Sequence, residues 1–114
     1  MKWLIAVVAF FLLQAGDCSK NSAGKIPPCI QERIDAIVAG PKYNPPATVY
    51  RYKYQQQYVY LISSDCCDQY NYVYDRFCNM ICAPSGGLTG KGDGRCPTFK
   101  QLSSEETLIW KDNR

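Results

Sequence analysis

No histidine occurs among the 114 residues of this chain. Its absence excludes Ser-His and Cys-His nucleophile pairs and zinc proteases built on a His-Glu-x-x-His helix. Cys-x-x-Cys is missing as well, which excludes a thioredoxin-type redox centre. Neither sign of charge dominates: 13 Lys and Arg against 10 Asp and Glu leave +3, spread along the chain, and give no case for nucleic acid. No apolar run is long enough to cross a bilayer comfortably. The longest, "WLIAVVAFFLL" from Trp3 to Leu13, follows a basic start at Lys2 and precedes the small residues Ala15 and Gly16. That is the pattern of a secretory signal peptide, here residues 1–17.

What the chain does have is cysteine, seven of them, and export allows them to pair. Seven is odd. Cleavage within "LQAGDCSK" that makes Cys18 the first mature residue leaves six, enough for three disulfides. Leu13, Ala15, Gly16 and Cys18 resemble the signal of bacterial lipoproteins, which are cut immediately before the cysteine that carries the lipid. Asp17 departs from the small residue usual before that cysteine. The resemblance implies lipidation at Cys18 and attachment to a membrane through it. The following "SKNSAGKIPP" is polar and rich in breakers, so residues 18–27 read as a flexible tether. Residues 28–114 remain as a single disulfide-stapled domain, of a size at which an apolar core alone is marginal.

Within that domain "PPCIQERIDAIVAGP" predicts a helix. Pro27 and Pro28 open it, Ile30, Ile34, Ile37 and Val38 recur at helical spacing, and Gly40 and Pro41 stop it. In "TVYRYKYQQQYVYLIS", Tyr50, Tyr52 and Tyr54 alternate with Val49, Arg51 and Lys53, the period of a strand. Tyr58 to Ile62 repeats the composition, with Gln55 to Gln57 as the hairpin connection. "QYNYVYD" and "MICAP" read as two further strands, the second ended by Pro84, with "RFCN" as their turn. "SGGLTGKGDGRCP" reads as a loop with its ends drawn together by Cys82 and Cys96, and Thr107 to Trp110 as a last strand. The expected fold is α+β: one N-terminal helix packed on a small antiparallel sheet of three to five strands, disulfide-rich.

The cluster "CCDQYNYVYDRFCNMIC" does not have the two well-spaced pairs of a zinc site, and no metal or cofactor is expected. Neighbours in extended chain point opposite ways, so Cys66 and Cys67 should reach different partners. Cys78 and Cys82 on one strand would lie about 13 Å apart, beyond bridging distance. Six cysteines allow fifteen pairings, and these constraints favour Cys29 and Cys96 as outer partners and links from Cys66 and Cys67 to Cys78 or Cys82; the set chosen among them is Cys29 with Cys67, Cys66 with Cys78, and Cys82 with Cys96. For catalysis the chain offers Asp65, Asp68, Asp75 and Asp93, with no spacing that brings two together.

The candidate binding surface is the tyrosine and basic rows of the hairpin, Tyr50, Arg51, Tyr52, Lys53, Tyr54, Tyr58 and Tyr60, together with Asp93 of the glycine loop. Lys91 and Arg95 on a braced loop give a second reading, a secreted protease inhibitor. A carboxylate-dependent hydrolase is the third.

The motifs "CCD", "YD" and "CN" followed by "ICAPSGGLTGKGDGRCP", with "CIQ" and "NPPATVYRY" upstream and "LIWKD" near the end, resemble a family of small uncharacterised bacterial secreted or lipoprotein domains. That resemblance implies an exported, lipid-anchored protein of the periplasm or outer membrane, with no assigned activity and no catalytic residue or cofactor to carry over. Its partner is then an envelope protein or a small ligand.

Overall fold

The computed structural model describes residues 25–66 and 68–114. The expected signal peptide, the lipidation site Cys18, most of the tether and Cys67 lie outside the described residues.

A short helix, α1, runs Pro28–Ala39. Proline at its first turn costs no hydrogen bond, and Gly40 ends it by donating its N–H to the Ile37 carbonyl at 3.1 Å. Ile30, Ile34 and Ile37 form its buried stripe. Five strands follow: β1 Thr48–Tyr54, β2 Gln57–Ile62, β3 Tyr70–Tyr74, β4 Met80–Gly86 and β5 Ser104–Lys111, with a single-turn helix α2, Phe99–Leu102, before the last. They form one sheet in the order β4-β3-β2-β1-β5, and every neighbouring pair is antiparallel. Only β5 is out of sequence order. To reach the far edge, the chain after β4 must cross the whole sheet.

That crossing divides the core in two. On one face the α1 stripe packs with Ala47, Val49, Tyr60 and Ile62. On the other, Tyr54, Val59, Val73 and Cys82 are covered by Cys96 and Phe99 of the crossing segment. The Phe99 ring meets Tyr54 at 4.8 Å and stands edge-on to Tyr52 at 5.1 Å. Fully burying one such aromatic is worth about 1.5–3 kcal/mol.

Two cross-links tie these layers. Cys29 at the start of α1 pairs with Cys78 in the β3–β4 turn, and Cys82 in β4 pairs with Cys96 in the crossing segment. The chain-entropy account gives about 4 kcal/mol for the first, whose partners are 49 residues apart, and about 3 kcal/mol for the second, 14 apart. The Cys82–Cys96 link is the one expected. The expected Cys29–Cys67 and Cys66–Cys78 links are not made, because Cys29 takes Cys78. Cys78 sits in the turn at φ 65, not in a strand, and from there it reaches the helix. Cys66 is also disulfide-bonded.

Two further departures have local causes. Pro84 does not end β4, which continues to Gly86. The register of β4 on β3 shifts between Asn71 and Val73, opposite Pro84, and β4 is an edge strand, so the missing N–H breaks no inner ladder. The β1–β2 connection has two residues, not three: Gln55 at φ 53 and Gln56 at φ 66 make the tight turn that suits a twisted hairpin.

The C-terminal residues close α1. The Arg114 guanidinium donates to the carbonyls of Val38 and Gly40, both at 2.9 Å, and so satisfies helix-end acceptors. It is held by Asp112, which is 3% exposed and accepts from Arg114 Nε at 3.0 Å and Nη2 at 2.8 Å. Those hydrogen bonds hold the Asp112 carboxyl below its usual value, although burial opposes them.

Candidate binding face

Three of the four carboxylates considered for catalysis, Asp65, Asp75 and Asp93, accept from backbone N–H groups. Asp75 accepts from the N–H groups of Phe77 at 2.8 Å and Asn79 at 2.9 Å and from the Asn79 side chain at 3.0 Å. Burial pushes its pKa up, but the bonds from Asn79 and Phe77 outweigh it and leave the carboxyl lowered. Asp65 accepts from the N–H groups of Asn44 and Cys66. Asp93 accepts the Arg95 N–H at 3.0 Å and faces the Arg95 guanidinium at 3.7 Å. Arg95 in turn donates to the Ile81 carbonyl at 3.0 Å. Asp93 and Arg95 therefore pin the glycine loop to β4. Among the described residues no group of three or more Cys, Asp or Glu could hold a metal ion.

The hairpin tyrosines do not form one row. A three-residue connection would have put Tyr58 opposite Tyr54. The two-residue turn puts Gln57 there, and the register continues with Tyr58 opposite Lys53 and Tyr60 opposite Arg51. One residue of slip moves a side chain to the other face. Tyr52 and Tyr54 consequently belong to the crossing-segment side, with the Tyr50 ring 6.4 Å from that of Tyr52. Tyr54 is buried there. The Tyr52 hydroxyl donates to Glu106 Oε2 at 3.2 Å, and burial first, then the Glu106 charge, push its pKa up to about 12.

Tyr58 and Tyr60 turn to the α1 side and meet the basic row. The Arg51 guanidinium lies 4.6 Å from the centre of the Tyr58 ring and the Lys53 ammonium 5.8 Å, both within cation–π range. The Tyr58 hydroxyl donates to Glu105 Oε1 at 3.4 Å. Tyr60 is only 1% exposed, at the floor. Beside it opens a cleft of about 290 Å³ lined by Lys25, Ile26, Arg51, Tyr60 and Ile109. Arg76 adds its field: burial raises the Tyr60 pKa, while the charges of Arg51 and Arg76 pull it back.

Four cations from three parts of the chain gather on this side: Lys25 and Arg51 line the cleft beside Tyr60, Lys53 lies over Tyr58, and Arg76 is in the turn that follows Tyr74, the cross-strand partner of Tyr60. Like charges gathered on a low-dielectric wall raise the local potential and favour an incoming anion. Arg51, Lys53, Tyr58 and Tyr60 carry this signal in the hairpin pattern. Lys25 and Ile109 carry no local signal, since only the tertiary fold brings them to the same rim.

Two other depressions are less suited. A cleft of about 430 Å³ beside α1 is lined by one cation, Arg33, together with the carboxylate Asp65. A groove of about 540 Å³ on the opposite side is lined by Tyr52, Phe99 and residues of mixed charge.

Fold and site together define a small antiparallel five-stranded sheet with a short helix, stapled by disulfides and carrying a cationic, tyrosine-lined cleft. Within that class the chain belongs to the family described as Domain of unknown function (DUF6970), which it matches over residues 35–112. The match starts inside α1 and takes in all five strands. No curated protein and no solved structure matches the chain. The disulfides point to an oxidising, exported environment, and among the described residues no helix is long and apolar enough to cross a membrane.

Proposed function

We propose that this is a non-catalytic binding domain of the bacterial envelope, exported, anchored through lipid on Cys18, and specific for an anionic ligand at the cationic cleft. One observation carries the ligand class: Arg51 and Lys53 are held against the Tyr58 ring, and Arg51 lines a cleft with Lys25. The anchor is supported by the Leu13 to Cys18 pattern and by cysteine parity. Titrating labelled protein with glycerol phosphate should shift the amide signals of Arg51, Lys53, Tyr58 and Tyr60, and a Lys53→Glu, Arg76→Glu protein should lose the response. Shifts scattered elsewhere, or unchanged in that variant, would sink the ligand class. Intact mass of the mature chain tests the anchor separately, through a lipid-sized increment on a chain beginning at Cys18.

A secreted inhibitor is the second reading, supported by a loop closed through Cys82–Cys96 with Lys91 exposed on it. Arg95 is a poor bait because its guanidinium is bound to the Ile81 carbonyl. Inhibition of a trypsin-like protease that disappears in Lys91→Ala would move the choice to this reading.

A further inference from the structure

Phe77 is 69% exposed, although this small domain has little apolar material to spare. Its exposure is built in. The three hydrogen bonds to Asp75 shape the turn that carries it, and the Cys29–Cys78 link fastens that turn to the first residues of α1. Arg76 lies over the Phe77 ring at 5.3 Å. The turn also lies close to the cationic cleft: Tyr74, just before it, pairs across the strands with Tyr60 on the cleft wall, and Cys78 packs on the cluster that contains Tyr60. Lys25, on the rim of that cleft, is seven residues from Cys18. A chain of that length spans at most about 25 Å, less than the thickness of a bilayer.

We infer that this corner is a membrane-facing surface, with Phe77 entering the interface of an anionic phospholipid bilayer while the exposed Lys25, Lys53 and Arg76 meet the headgroup phosphates. The inference rests on the anionic-ligand reading above and names the ligand as lipid phosphate in a bilayer. Charge complementarity supports it, because basic groups next to an apolar wedge are what an anionic interface attracts. The position of Cys18 supports it too, since a lipid there would keep Lys25, on the rim of the cleft, within about 25 Å of the bilayer. The domain would then sit down on the membrane, not swing free of it.

The test uses the mature chain with Cys18→Ser, so that no lipid contributes, in sedimentation with vesicles of phosphatidylcholine alone or mixed with phosphatidylglycerol. Binding should require phosphatidylglycerol and weaken with salt. Phe77→Ala should lower it about tenfold, and Lys53→Glu or Arg76→Glu roughly fivefold each, by the increments expected of an interfacial aromatic and a surface cation. Phe77→Trp should restore binding, and its fluorescence should shift to the blue on vesicles. Equal binding to neutral vesicles, or binding indifferent to Phe77→Ala, overturns the inference. A response to glycerol phosphate without vesicle binding overturns it while leaving the anion reading standing. Absence of both overturns both.

Discussion

The two faces of the sheet are covered by different means, and the difference locates the site. On one side a 12-residue helix lays three isoleucines on Val49, Tyr60 and Ile62. On the other an irregular crossing segment manages with one phenylalanine and a disulfide. The helix is too short to cover its side, and the uncovered ground holds Tyr58, Arg51, Lys53 and the cleft. The crossing segment has no regular structure of its own beyond α2, yet it runs the full width of the sheet. Both covers leave a depression, and charge tells them apart: Lys25 and Arg51 line the smaller cleft on the helix side, while residues of mixed charge line the larger groove beside the crossing segment.

The sharpest way to break this comparison is to cut the links one at a time. Replacing Cys29 and Cys78 by Ser should cost about 4 kcal/mol in urea unfolding, and replacing Cys82 and Cys96 about 3 kcal/mol. The first should also release Phe77 and the cleft, whereas the second should leave Tyr58 signals unmoved. Next in size, Ile34→Ala and Phe99→Ala should each cost about 3 kcal/mol. A much smaller loss for Phe99→Ala would mean that the crossing segment is held by its disulfide and little else.

Acid should act on the helix side through two lowered carboxyls. Asp112 and Asp75 have folded pKa values below their unfolded ones, so the stability they give is complete above the ordinary aspartate value, about 3.9, and is lost as pH falls through the folded values. Urea midpoints should therefore drop on acidification through that range, and Asp112→Asn should flatten the dependence by removing the clasp on α1. Asp75 keeps part of the dependence in that variant, so a dependence undiminished from the parent would show that Asp112 does not hold the Arg114 clasp. The smallest effect is expected in the hairpin turn, where neither Gln55 nor Gln56 suits positive φ. Gln55→Asn with Gln56→Gly should raise stability by about 0.5–1 kcal/mol without altering the tyrosine division.

Some of this was legible in the residues. The Ile30, Ile34, Ile37 spacing between proline and glycine marks α1, and strict alternation marks β1, because both signals are local. The Cys82–Cys96 link was legible because it closes a short loop. Cys29–Cys78 was not, since it depends on α1 crossing the sheet to a turn 49 residues on. The site was half legible for a similar reason. The composition of the hairpin shows Tyr58 beside basic residues, but only the length of the turn decides that they share a face, and three glutamines give no hint of it. Asp112 and Arg114 look like an ordinary polar tail until α1 is seen to end against them.

The glycine loop has a consequence for crowding. Gly92 donates its N–H to Gly86 and Asp93 to Ala83, and a Cβ at Gly92, which sits at φ 84, would run into the Ala83 carbonyl. The loop thus lies along β4 closely enough to occupy backbone groups that a neighbouring molecule's strand would need. At the opposite edge β5 breaks register twice and has Glu105 at φ 56. With one border sealed and the other crooked, the sheet offers poor templates for strand addition. Many copies concentrated on one surface would resist zipping into fibres, a property that an unblocked five-stranded sheet would not have.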